Sequence, residues 1–254
     1  MSSMSKIEWT EATWNPVTGC KKISSSCKNC YAETFANRFK GVPGHPYEQG
    51  FSVKLWQDRL SLPLYWKTPK FVFVNSMSDL FLDEVDDIFI KQVFSTMVSA
   101  NWHVFQVLTK RPERMLNWAE NNYKKSTWPS NVWLGVSVES TDYLCRVELL
   151  KKTPAKVKFV SFEPLLDKLD LHNGSLDGID WVIVGGESGP KARRMPIEWV
   201  DGIFDYCLNH NISFFFKQWG TFDRQGNRVG KKKAGRLYRG GVWNQMPVVS
   251  PINS

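Results

Sequence analysis

A chain of 254 residues that is 42% hydrophobic and 14% aromatic is long enough for one α/β barrel and too apolar to stay disordered. No apolar run approaches the ~18 residues that span a bilayer, and Met1–Glu8 is polar, without the apolar core of a signal peptide, which predicts a cytoplasmic protein with no membrane contact. A formal net charge of +8 favours a polyanionic partner, and five cysteines in a chain of this size argue against a disulfide framework.

In chain order, Thr13–Cys20 reads as a short extended segment closed by Gly19. The eleven residues from Cys20 to Cys30 then place three of the five cysteines, Cys20, Cys27 and Cys30, in one loop. Structural zinc takes four protein ligands, whereas a cubane iron–sulfur cluster held by three cysteines keeps one iron open for another molecule. Tyr31, Phe35 and Phe39 recur at helical spacing, so the third cysteine stands at a helix start. Gly41–Lys70, rich in Gly, Pro and aromatics, reads as an irregular excursion with a short helix through Leu55–Leu60.

A rhythm of short apolar runs and helical stretches follows. The runs are Phe71–Asn75, Val104–Thr109, Val132–Ser137, Val157–Glu163, Trp181–Gly185 and Ser213–Lys217. Continuous β-branched and aromatic runs of this length are the pattern of buried parallel strands. Val85–Ser99, Pro112–Lys125, Thr141–Lys152 and Pro196–Asn211 carry helical periodicity between them. With the N-terminal segment this makes seven β/α units, which predicts an α/β fold, a full or partial (β/α) TIM-like barrel, with an open doubly wound sheet as the alternative. Residues 1–220 form the barrel, and 221–254 a basic extension packed on it, in which Arg224, Arg228, Lys231, Lys232, Lys233, Arg236 and Arg239 crowd together.

In such a barrel the C-terminal strand ends surround the site, and here they are polar: Asn75–Asp79, Thr109–Arg111, Ser137–Ser140, Ser161–Pro164, Gly185–Gly189 and Lys217–Gly220. If the three thiols hold a [4Fe–4S] cluster, the open iron suits a molecule with an amino and a carboxylate group. S-adenosylmethionine (SAM) offers both, and its reductive cleavage would make this a radical enzyme. Plainer readings stand beside this one. The thiols form a zinc site completed by His45 or Cys145. Asp79 caps a helix, and Glu139 and Glu163 pair with rim bases such as Lys110 or Arg111. Cys145 and Cys207 are buried structural thiols, and Lys191, Arg193, Arg194 and the tail either contact phosphates or form an ordinary charged face.

A three-cysteine loop after the first strand of a β/α barrel resembles the radical SAM superfamily. Trp14–Cys20, Cys27–Glu33, Asn75–Phe81, Gly185–Gly189 and Phe216–Gly220 are similar to the motifs of a phage- and bacteria-encoded "phage protein" family with a C-x6-C-x2-C loop, over Trp9 to about Pro247. The resemblance implies a [4Fe–4S] cluster on Cys20, Cys27 and Cys30, with SAM held by Asn75, Ser76, Ser78 and Asp79. Lys110, Ser137, Glu139, Gly185 and Gly186 are further cofactor contacts, and Glu163, Glu187 and Lys217 are catalytic candidates. It also implies an electron donor of flavodoxin or ferredoxin type, a nucleic-acid or nucleotide substrate undergoing modification or repair, and a monomer. The alternative is a non-catalytic zinc-containing nucleic-acid-binding protein. Two departures from the superfamily pattern are plain. Six residues rather than three separate the first two cysteines, and the Gly-Gly-Glu segment follows the sixth strand rather than the second.

Overall fold

The computed structural model describes residue 5 and residues 7–248; the first residues of the polar N-terminal stretch and residues 249–254 of the basic extension lie outside the described part. Seven parallel strands form one curled sheet in the order β1 (Ala12–Trp14), β4 (Phe71–Val74), β5 (Val104–Thr109), β6 (Val132–Ser137), β7 (Lys158–Phe162), β8 (Trp181–Gly185) and β9 (Ser213–Gln218). The expected partial barrel is what forms. A two-stranded ribbon, β2 (Val17–Thr18) with β3 (Lys54–Leu55), stands beside it. Leu55–Leu60, expected as a helix, gives only the end of this ribbon and a 3-10 turn over Gln57–Arg59.

The apolar runs hide a period of two that the curl reveals. Val72, Val74, Phe105, Val107, Leu134, Val136, Val160, Val182, Val184, Phe214 and Phe216 face the outer core under the helices. The alternate positions Phe73, Val104, Trp133, Phe159, Trp181, Ile183 and Phe215 pack with Trp9 inside the barrel. Both faces are therefore buried, which is why the strands read as unbroken apolar runs. Further along each strand the inward positions become small or polar, as Ser137, Ser161, Gly185 and Lys217. Bulky aromatics thus plug the bottom of the barrel, while the C-terminal end stays open.

The outer layer holds α2 (Asp87–Ser99), α3 (Pro112–Asn122), α4 (Cys145–Lys152) and α5 (Ile197–Asn209). Asp86 caps α2 by accepting from Phe89 N at 2.7 Å, and Pro112 opens α3, where its missing N–H costs nothing. No helix lies between β7 and β8. The free edge of β9 is covered by the C-terminal segment: Trp243 O accepts from Phe216 N (3.0 Å) and Gln245 N donates to Phe214 O (3.2 Å). This closes an edge that would otherwise be open to pairing with another chain. Among the described residues no helix is long and apolar enough to cross a membrane.

Helix α1 (Tyr31–Asn37) follows the third cysteine, but its burial is the reverse of the periodicity. Ala32 and Ala36 face inward, whereas Tyr31 and Phe35 are 60% and 42% exposed. Phe35 and Phe39 instead cluster outside with His45 and Tyr47.

Candidate active site at the barrel mouth

A cavity of about 470 Å³ fills the open end of the barrel. Its floor is Trp9, Phe73 and Leu108 from the aromatic plug, and its roof is the cysteine loop, with Cys20, Cys27 and Cys30 all on the lining. Asn75, Ser76, Ser78, Asp79, Lys110, Ser137, Glu163, Gly186, Glu187 and Lys217 line it as well, so residues from β4 to β9 converge on one space. Two expected contacts do not reach it. Glu139 is wholly buried behind the wall, and Gly185 backs onto the Glu163 side chain, which a Cβ there would meet at 3.3 Å.

The loop is fastened to the rim from four sides. Arg111 donates to Asp79 Oδ2 (3.1 Å) and to the Lys21 carbonyl (2.9 Å). Glu139 accepts from Ser26 N (3.3 Å) and from Arg146 Nη1 (3.0 Å). Glu187 accepts from Asn29 Nδ2 (3.1 Å) and from Arg193 N, Nε and Nη2 (2.8, 2.9 and 2.6 Å), and Arg193 reaches on to the Ser25 carbonyl at 3.2 Å. Ser78 Oγ donates to Gly19 O at 2.7 Å. The three carboxylates follow β4, β6 and β8, which alternate in the order of the sheet.

These bonds reassign several expected roles. Asp79 was expected on the cofactor, yet Phe81 N, Thr109 Oγ1 and Lys110 N fill its oxygens at 2.7 to 3.0 Å in addition to Arg111. Arg111 pairs with Asp79 rather than with Glu139 or Glu163, and Glu139 pairs with Arg146. Both Glu187 oxygens are taken; burial raises its carboxyl, but the Arg193 and Asn29 hydrogen bonds outweigh it and hold the group below the usual carboxylate range. Arg193, a phosphate candidate in the sequence, is thereby engaged inside the fold. The tail arginines are also largely occupied, Arg228 on the Gly189 and Pro190 carbonyls and Arg239 on Asp201 and Asp205.

What stays available in the cavity is a smaller set. Lys217 Nζ donates to Glu163 Oε1 at 2.5 Å, joining the ends of β9 and β7. Asn75 has a left-handed backbone (φ 60°), a conformation Asn tolerates better than most residues; its Oδ1 accepts from Val17 N at 3.2 Å while its Nδ2 is buried with no partner among the described residues. Such an orphaned donor in a polar cavity suits a ligand oxygen. Ser76 is bound through its carbonyl by the Tyr31 hydroxyl and through Oγ by Asn15 Oδ1 at 3.2 Å. Gly186 has a plain steric reason to be glycine, because a Cβ would lie 2.0 Å from the Trp219 carbonyl oxygen.

The thiols differ among themselves. Burial pushes Cys20 up to about 11, with Asp79 and Cys27 adding to the rise and Arg111 opposing it. Burial also acts against Cys27, but backbone hydrogen bonds at Ile23 and Ser24 and the Lys110 charge outweigh it and lower that thiol. Cys207 is buried and pushed up to about 12 by burial, as a structural thiol is, but Cys145 is exposed, contrary to expectation. Among the described residues no three Cys, His, Asp or Glu side chains converge tightly enough to hold one metal ion. A tetrahedral zinc would draw its sulfurs to about 3.8 Å from one another, given Zn–S bonds near 2.3 Å. Neither proposed fourth ligand faces the cavity: His45 stacks on Phe39 at 4.0 Å, and Cys145 opens α4. Three cysteine thiols on one lining are the donor type that holds an iron–sulfur cluster, in which each sulfur takes a different iron.

Fold and site together define a partial α/β barrel whose mouth is roofed by a three-thiol loop. The chain belongs to the family described as "protein of unknown function (DUF5131)", whose profile matches residues 4–247. A search of the curated proteins finds no match. Among solved structures it is similar to a tyrosine-to-phenylalanine variant of spore photoproduct lyase, at 11% identity and a TM-score of 0.54 over 86% of this chain and 79% of that one. Spore photoproduct lyase complexed with dinucleoside spore photoproduct aligns at 12% identity and TM-score 0.49, over 81% of this chain and 63% of that one. A further variant, with bound AdoMet and the dinucleoside, aligns at 12% identity and TM-score 0.48, over 73% and 58%. The chain therefore spans less than two thirds of the length of the first of these relatives with bound dinucleoside. At such identities the likeness is one of fold alone, and for the variant at TM-score 0.54 it agrees with the full or partial barrel expected from the β/α rhythm.

Proposed function

We propose that the chain is a radical SAM enzyme acting on a nucleic acid or nucleotide, in modification or repair. The observation that carries the reading is the cysteine loop: three thiols on the roof of one cavity, over a polar barrel mouth, with the loop backbone held by Glu139, Arg111 and Arg193. Cys20, Cys27 and Cys30 would hold a [4Fe–4S] cluster, and a flavodoxin- or ferredoxin-type donor would feed it. Bound there, the cluster and SAM would supply one-electron reductive cleavage of the sulfonium and, through it, hydrogen abstraction from carbon.

The protein's part is position and exclusion. Asn75 Nδ2 offers a donor for a ligand carboxylate, and Ser137, Ser161 and Lys110 add polar groups around it. Lys217, paired with Glu163, places its amino group on the cavity lining for a substrate to meet. The aromatic plug seals the floor, so a substrate bound over the mouth would shield the cavity from water on that side. The net charge of +8 supports a polyanionic substrate. Anaerobic reconstitution tests this reading: uptake of a brown cluster and release of 5′-deoxyadenosine from SAM are expected. One zinc per chain with no labile sulfide would favour the non-catalytic alternative.

A further inference from the structure

Beside the main cavity lies a second pocket of about 400 Å³, lined by Glu8, Gln218, Lys231, Lys232, Gly235 and Arg236. Glu8, Gln218 and Lys231 line both spaces, so the two adjoin there, beside the end of β9. Three cations face one carboxylate here. Lys231 pairs with Glu8 Oε1 at 3.0 Å, and Lys232 makes no ion pair among the described residues.

Arg236 is the unusual member. It donates to the Phe216 carbonyl (3.0 Å) and to Asn244 Oδ1 (2.5 Å), lies over the Phe215 ring, and has no carboxylate partner among the described residues. Half burying a guanidinium against neutral acceptors removes hydration without supplying a counter-charge. Burial accordingly pulls Arg236 below its ordinary value, against the opposing pull of Glu8. The other tail arginines differ, since Arg239 has two aspartates and Arg228 lies on backbone carbonyls away from this pocket. Two buried acceptors on residues shared by the two spaces have no hydrogen-bond partner among the described residues: Gln218 Oε1, on a residue 5% exposed, and Glu8 Oε2. An excess of cations beside idle acceptors matches a nucleotide, whose phosphate lies next to sugar O–H and base N–H donors.

We infer that Lys231, Lys232 and Arg236 form a phosphate-binding subsite, which holds a phosphate of the nucleotide or strand whose neighbouring unit enters the main cavity. This rests on the nucleic-acid or nucleotide reading above and extends it by naming where the phosphate sits. The shared chemistry is the phosphoryl oxygen, whether on a free nucleotide or in a strand.

The test uses the full chain without cluster, which separates it from catalysis. Binding of a fluorescent single-stranded oligonucleotide is followed by anisotropy across a salt series, and inorganic phosphate, a mononucleotide and unlabelled oligonucleotide compete in separate arms. Loss of one phosphate contact is expected to weaken binding roughly fivefold at low salt and to flatten the salt slope by about 0.7. Lys232→Gln should show this with an unchanged melting temperature, and Arg236→Lys, which keeps charge but loses the planar fork, should show a smaller loss. Lys233→Gln is the control, since Lys233 lies on the same turn but outside the pocket. Competition by the mononucleotide at concentrations where inorganic phosphate fails would assign a nucleotide site, and competition by the strand alone a strand site. No oligonucleotide binding, unchanged affinity in both variants, or an equal loss in Lys233→Gln would overturn the subsite. If the variants weaken binding while the reconstituted protein releases no 5′-deoxyadenosine, the subsite stands and the radical reading falls.

Discussion

Glu139 offers the sharpest dissection of how the fold holds its loop. Its carboxylate is wholly buried and joins Arg146, itself 5% exposed, to the backbone N–H of Ser26 in the middle of the cysteine loop. Glu139→Ala leaves a buried guanidinium without its partner, a loss of about 3 to 5 kcal/mol. Glu139→Gln keeps shape and one acceptor, so the loss falls to about 1.5 to 3 kcal/mol, the worth of a hydrogen bond to a charged group. Removing both charges, as Glu139→Leu with Arg146→Met, should recover most of the stability, because a buried ion pair replaced by packed apolar groups is often neutral. The double variant still lacks the acceptor for Ser26 N, so the loop stays unfastened on that side. Urea unfolding of the chain without cluster measures the first effect, and iron retained after reconstitution and gel filtration measures the second. The expected pattern is stability lost in Glu139→Ala and regained in the double variant, with iron retention impaired in both. Full iron retention in the double variant would refute the tethering role.

Gly186→Ala should destabilise the chain by about 3 kcal/mol or more even without any cofactor, because its Cβ would sit 2.0 Å from a backbone oxygen that cannot swing away; an unchanged urea midpoint would show that Gly186 is not sterically required. His103 is wholly buried and lowered by burial from its ordinary 6.5, against the hydrogen bond to the Pro63 carbonyl. Its contribution is therefore present above pH 6.5 and is lost as pH falls toward the lower folded value, since the unfolded chain takes up the proton first. Urea midpoints measured from pH 7.5 downward should decline by up to about 1.4 kcal/mol per pH unit in that window, and His103→Gln should flatten the decline; a slope unchanged in the variant would assign it to other groups.

The strands and the C-terminal rim were legible because burial on both faces writes itself into contiguous residues, as in Phe71–Val74 and Trp181–Gly185. The three cysteines were legible because they share one loop. The clamps were not: Arg193 reaches Ser25 across 168 residues and Glu139 reaches Ser26 across 113, and their partners are backbone groups that carry no side-chain signature. Helix α1 misled for a related reason. Tyr31, Phe35 and Phe39 have the spacing of a core stripe, but the helix buries its small face, Ala32 and Ala36, leaving Phe35 and Phe39 to cluster outside and Tyr31 at the cavity rim with its hydroxyl on the Ser76 carbonyl. Charge was the least legible property, since only the fold decides that Arg239 meets two aspartates while Arg236 meets none among the described residues.

The most direct test of the radical SAM assignment is anaerobic reconstitution of the full chain with iron and sulfide, followed by metal analysis and SAM turnover under reductant. About four irons and four labile sulfides per chain, with 5′-deoxyadenosine formed, are expected for the unaltered protein, and Cys20→Ala, Cys27→Ala and Cys30→Ala should each lose both while Cys145→Ala keeps them. An intact cluster in Cys27→Ala, or stoichiometric zinc with no sulfide in the unaltered chain, would contradict it.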